Sequence, residues 1–153
     1  MLDPFTFYGR WFSAALDMTG TAHRLSQTLT ASNDVVARRT AMMRDAAQSP
    51  LDGDYAELSR MIPEKIDAFG RAGVAIAADC WAIQSAILAQ ARQIGALAMQ
   101  GRPPTAAELS AAATSYATFA LRTFERAGAM SAKGLAPIHA SATGNARRLK
   151  RRV

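Results

Sequence analysis

From Tyr8 to Ala46 the chain sets residues at alternating intervals of three and four: Tyr8, Trp11, Ala15, Met18, Ala22, Leu25, Leu29, Ser32, Val36, Arg39, Met43 and Ala46. A 3.5-residue period is that of a coiled-coil seam, and only Ser32 and Arg39 break its apolar character. No proline interrupts residues 5–48. The stretch therefore predicts one helix, a rod of roughly 65 Å at ~1.5 Å per residue. Arg39 on such a seam costs stability and can fix register.

The helix is predicted to stop at "SPLDGD", residues 49–54. Pro50 disfavours helix at Ser49, and Gly53 relaxes the backbone. Asp54 can cap the next helix, with Glu57 three residues on in capping-box position. A short helix over 55–61 is expected, and Pro63 and Glu64 suit the first turn of a further one. A second seam then runs Ile62, Ile66, Phe69, Gly73, Ile76, Cys80, Ile83, Ile87, Gln90, Ile94, Leu97. "GRPP", residues 101–104, ends it, and Thr105 with Glu108 forms the pattern of a second capping box. The helix beyond carries Leu109, Tyr116, Phe119, Phe124 and Met130 on one stripe. It is expected to fray around "AKGLAP", leaving "HASATGNARRLKRR" as a short helix or mobile tail. No stretch alternates as a strand would. The expectation is an all-α fold of long antiparallel amphipathic helices, a coiled-coil-like bundle completed by oligomerisation, dimer to tetramer. A helical domain over 1–136 and a basic C-terminal tail over 137–153 divide the chain.

Composition explains why other copies are expected. Of 153 residues 34 are alanine, whereas Leu, Ile, Val and Phe together number 29. Such a chain favours helix but has little bulk for a thick private core. The single cysteine, Cys80, excludes an internal disulfide framework and fits a reducing compartment. The start of the chain lacks the apolar core of a signal peptide, and no run reads as the ~20 apolar residues of a transmembrane segment. A cytoplasmic location is expected. Residues 1–146 hold 13 Lys/Arg against 12 Asp/Glu, and "RRLKRRV" holds the other five cations. The cationic element is thus the tail.

Catalytic patterns are absent. His23 and His139 have no Cys or His partner at zinc-like spacing, and Cys80 on the second seam reads as a buried small hydrophobe. The acids of "DGDYAEL" fail as a calcium loop, because counting twelve positions from Asp52 ends on Pro63 instead of a bidentate Glu. There is no phosphate-binding loop, nucleophile elbow or dinucleotide fingerprint. No enzyme, metal or cofactor is indicated.

Two features call for another explanation. Phe5, Phe7, Tyr8, Trp11 and Phe12 are more aromatics than one seam can bury. With Trp11 on the seam, Phe5 and Phe12 form a surplus apolar face of the kind that inserts into apolar surfaces. The stripe at Tyr116, Phe119 and Phe124 is the other candidate anchor. In the tail, Arg147, Arg148, Lys150, Arg151 and Arg152 form a candidate nucleic-acid or anion site, weak and salt-sensitive.

The segment "VVARRTAMMRDAAQSPLDGDYAELSRMIPEKIDAFGRAG", residues 35–73, resembles the phasin family, small helical proteins that coat bacterial polyhydroxyalkanoate storage granules. The family's "SPL" turn and its "D-x-x-EL-x-RM-x-PEK" segment are matched by Asp54, Glu57, Leu58, Arg60, Met61, Pro63, Glu64 and Lys65. "PIHASATGNARRL" also resembles the family's end. The resemblance implies a non-catalytic, self-associating coat protein at the surface of polyester granules. The long Lys/Ala/Pro-repeat tail of some members is missing, which leaves a DNA-compacting role without its usual element. Two other readings remain open: a nucleoid-associated, DNA-tethering protein acting through the basic tail, and a coiled-coil scaffold for a protein partner.

Overall fold

The computed structural model describes residues 3–51 and 53–151. The described residues form α1 (Pro4–Gln48), α2 (Tyr55–Ser59), α3 (Met61–Ala98) and α4 (Ala106–Lys150), with no strand among them. The chain is all-α, as its period requires.

Local chemistry sets the helix ends. Asp3 opens α1 by accepting the N–H of Thr6 at 3.2 Å, the bond of an N-cap. Asp54 caps α2 by accepting the Glu57 N–H at 3.0 Å. The Glu57 side chain itself turns inward. The Thr105–Glu108 box forms, with Glu108 N–H on Thr105 Oγ1 at 3.3 Å and Thr105 N–H on Glu108 Oε2 at 2.8 Å. Arg102 donates to the same carboxylate at 2.9 Å. Its hydrogen bonds and those of Thr105 draw the Glu108 pKa down to about 2. Past the end of α3, Gly101 takes φ +69, the left-handed region open to glycine without strain.

The expected fraying near "AKGLAP" does not occur. α4 runs unbroken through Pro137 to Lys150, across the boundary expected at 136/137. Pro137 lacks the N–H that would continue the helical ladder, so the packing around it must hold this turn.

The chain divides into two compact units. The first is Met1–Thr19 with Ile76–Ser131, the second Gly20–Ala75 with Ala132–Val153. In the first unit α1 and α4 run in the same direction: Arg10 pairs with Glu125 at 2.6 Å, and Met18 packs on Gly128. A Cβ on Gly128 would lie 3.3 Å from Met18 Cγ, so glycine permits this approach. α3 runs against α4, with Cys80 beside Met130 and Gln90 beside Ser115. In the second unit α1 and α4 are again parallel. Thr28 meets His139 at 3.0 Å, and Arg38 caps the Leu149 carbonyl at 3.1 Å. The antiparallel expectation thus holds between consecutive long helices and not between the first and the last.

The cores are thin. Among the described residues the buried apolar ones are Ala14, Ala31, Val35, Ala46, Ala68, Ala72, Leu121 and Leu149. Five of the eight are alanine, so the helices approach closely and exclude little apolar surface from water.

Candidate surface-binding site

Both seams face largely the wrong way for a private core. On α1 the two seam positions that break the apolar pattern, Ser32 and Arg39, are half-buried and buried, while Tyr8, Leu29 and Val36 are exposed. On α3, Ile62 and Ile66 are 70% and 68% exposed, and Phe69, Ile87 and Ile94 are also open to solvent. The α3 face that packs carries Ala68 and Ala72, and Gln90, a seam position, is buried as well. At 100° per residue this face lies about a quarter turn from the isoleucine stripe. Close three-helix packing selects the small-residue face and leaves the bulky one outside. Val36 and Phe69 line one crevice of the second unit, so the exposed apolar residues of α1 and α3 meet there.

The composition of α3 sharpens the point. Within Tyr55–Ala98 a window of 18 residues is long and apolar enough to cross a membrane by length and composition, and only 6% of it is buried. No unbroken run of about 20 apolar residues underlies it. Alanines between the isoleucines and Trp81 raise the average without forming an unbroken bulky stretch.

The expected anchors differ in availability. Phe5 is 87% exposed and Phe12 is exposed as well, as a surplus face requires. Trp11, assigned to the seam, stacks on Phe124 with ring centroids 5.6 Å apart and planes 9° apart. Phe124 is therefore partly occupied by an internal contact. Tyr116 is exposed and lies against half-buried Phe119, centroids 6.2 Å apart. Cys80 is exposed with its thiol 3.6 Å from Met130 Sδ, which corrects the expectation of burial. His23 is exposed beside Gln27.

The cationic tail is not uniform. Arg147, Lys150 and Arg151 are exposed, whereas Arg148 points into the second unit. There it joins a cluster that the sequence did not reveal. Arg39 Nη2 donates to Glu57 Oε1 at 2.9 Å and to Glu64 Oε2 at 2.8 Å. Arg148 Nη2 donates to Glu57 Oε1 at 2.7 Å and to Glu64 Oε1 at 2.6 Å. Asn145 adds a bond to Glu64 Oε2 at 2.9 Å. Two guanidiniums thus balance two carboxylates contributed by all four helices, and Glu57 is 0% exposed. Burial pushes both glutamates up, but the hydrogen bonds and charges of the two arginines outweigh it and leave each pKa below the ordinary carboxylate value. The same carboxylates raise Arg148. Such a cluster orients helix ends. Arg152 and Asp52, from which the calcium loop was counted, lie outside the described residues.

Among the described residues no three His, Cys, Asp or Glu side chains are grouped to hold a metal ion. Compared with protein families, curated proteins and solved structures, the chain finds no match in any of the three.

Proposed function

We propose that this chain is a non-catalytic, phasin-like coat protein that adsorbs to the surface of polyhydroxyalkanoate granules in the cytoplasm. The observation that supports this reading most directly is the outward isoleucine and phenylalanine face of α3, with Ile62, Ile66 and Phe69 exposed while alanines fill the packed face. Each such side chain gains roughly 1.5–3 kcal/mol when fully buried. A polyester surface can take the whole stripe at once. Phe5 and Phe12 supply further anchors. In water the same stripe is expected to pair with other copies in a coiled-coil-like manner, giving a dimer to tetramer that competes with the polymer for one face.

The nucleic-acid alternative is weakened by the engagement of Arg148 in the internal ion cluster. The scaffold alternative is separated by experiment. The purified protein, mixed with polyester nanoparticles, should deplete from solution in a saturable manner. A fluorescent fusion should move from diffuse to granule-rimming when cells accumulate polyester. Failure to deplete on clean particles would transfer the apolar face to a protein partner.

A further inference from the structure

A second surface, on the first unit, has a chemistry unlike that of the apolar face. Between α3 and α4 lies an open groove of about 910 Å³. Its wall carries Gln90 and Gln93 from α3 and a run of serine and threonine from α4, with Phe119 at the side and Arg122 and Arg126 at one end. The hydrogen-bond inventory of this wall is lopsided. The Thr114 hydroxyl donates to the Ser110 carbonyl and the Thr118 hydroxyl to the Thr114 carbonyl, each at 2.9 Å. The Ser115 hydroxyl donates to Gln93 Oε1 at 2.8 Å and lies 3.4 Å from Gln90 Oε1. Its one proton serves the Gln93 oxygen, and neither amide N–H₂ group has an acceptor among the described residues. Arg122 and Arg126 stand four apart on one face of α4, and neither forms an ion pair among the described residues. No carboxylate lines the groove among the described residues.

The groove therefore offers two amide donors one turn apart, an apolar lining of Ala86, Ala89, Ala107 and Ala111, and two cations at one end. Its complement is a weakly polar chain that carries acceptors and ends in one negative charge. A peptide fits poorly, because each residue brings an N–H that needs an acceptor. A polyanion fits poorly, because the cations are confined to one end. A fatty acid satisfies the arginines but presents only hydrocarbon to Gln90 and Gln93. A short polyester has a carbonyl acceptor in every repeat, no donors along its backbone and a terminal carboxylate. We propose that this groove binds the carboxylate end of a hydroxyalkanoate oligomer, with Arg122 and Arg126 on the carboxylate and the Gln90 and Gln93 amides on ester carbonyls. The site deepens the polyester reading and rests on it for the source of such chains. It would let a coat protein hold loose chain ends as well as the surface.

The test is calorimetric titration of the full chain with the free-acid trimer of 3-hydroxybutyrate. The same trimer capped as its methyl ester and octanoate serve as comparison ligands. Saturable binding of the acid trimer is expected, at least tenfold weaker for the capped trimer and for octanoate. Arg122→Gln with Arg126→Gln should lower affinity for the acid at least tenfold and remove its advantage over the capped form. Gln93→Ala should weaken the trimer and leave octanoate unchanged. Both arginines are exposed, so circular dichroism should show unaltered helicity. If it does not, the acid-against-ester comparison on the unmodified protein still decides. Octanoate binding as tightly as the trimer would overturn the assignment in favour of fatty acids. Adsorption to polyester particles without trimer binding would remove this inference alone, and failure of both would remove the granule reading as well.

Discussion

Arg148 donates to the Glu57 carboxylate at 2.7 Å across 91 residues of sequence. With Arg39 on the same oxygen at 2.9 Å, this bond joins the far part of α4 to the turn between α1 and α3. The arrangement is costly to break from one side, since removing one partner leaves an uncompensated buried charge. Arg39→Ala should lower unfolding free energy by about 3–5 kcal/mol, measured by urea denaturation. A change below 1 kcal/mol would mean that the cluster is hydrated in solution.

Acid should release the same cluster. Glu57 and Glu64 both titrate below their ordinary value. Their contribution is therefore fully present above the unfolded carboxylate pKa of about 4.3 and is lost as pH falls through the folded values. Thermal stability should be flat from pH 7 to about 5 and fall below about 4. Glu57→Gln should flatten that acid limb. A variant that keeps the full acid loss would place the responsible groups elsewhere.

The two neighbouring tail arginines should separate cleanly. Arg147→Gln removes an exposed cation and should leave stability unchanged, while any DNA binding loses about 0.9 from its log–log salt slope. Arg148→Gln should destabilise the fold, with little effect on that slope. Equal effects of the two substitutions on DNA affinity would contradict the inward placement of Arg148.

Adsorption should follow exposure. Ile66→Ser with Phe69→Ser removes two open side chains from α3, and Phe5→Ser with Phe12→Ser removes two from α1. Each pair should weaken adsorption to polyester particles at least tenfold, since each side chain contributes roughly 1.5–3 kcal/mol when buried. Helicity should hold. Phe124→Ser should instead disturb the Trp11 stack, which melting of the helical signal would report. If only the α1 pair matters, the α3 stripe is an interface between copies.

Much of the fold could be read from the sequence, because helix ends are local. The breaks at residues 49–54 and 101–104 and the Thr105–Glu108 box depend on neighbours three residues apart. The orientation of each helix could not be read that way. On α3 the isoleucine stripe and the stripe of Ala68 and Ala72 stand a quarter turn apart, and bulk argued for burying the first. The close packing of small residues won. Glu57 and Arg148 were also illegible: a capping box and a basic tail are sound local readings for each, and only the tertiary contact across 91 residues joins the two. Arg39 gave a partial signal, since a cation on an apolar seam needs a partner. The Gln93–Arg122 groove gave none, because no spacing rule links glutamines on one helix to arginines on the next.

Pro137 has a consequence for how fast the native state can be reached. All peptide bonds between described residues are trans, and Pro137 lies inside α4. In unfolded chains roughly 10–30% of X–Pro bonds are cis and interconvert over tens to hundreds of seconds. A chain that starts with the Ala136–Pro137 bond cis cannot wind that turn of α4, so it waits. The segment that waits also carries Arg148, and until it winds, Arg39 alone faces two carboxylates. A prolyl isomerase should shorten this slow phase, and Pro137→Ala should remove its share of it.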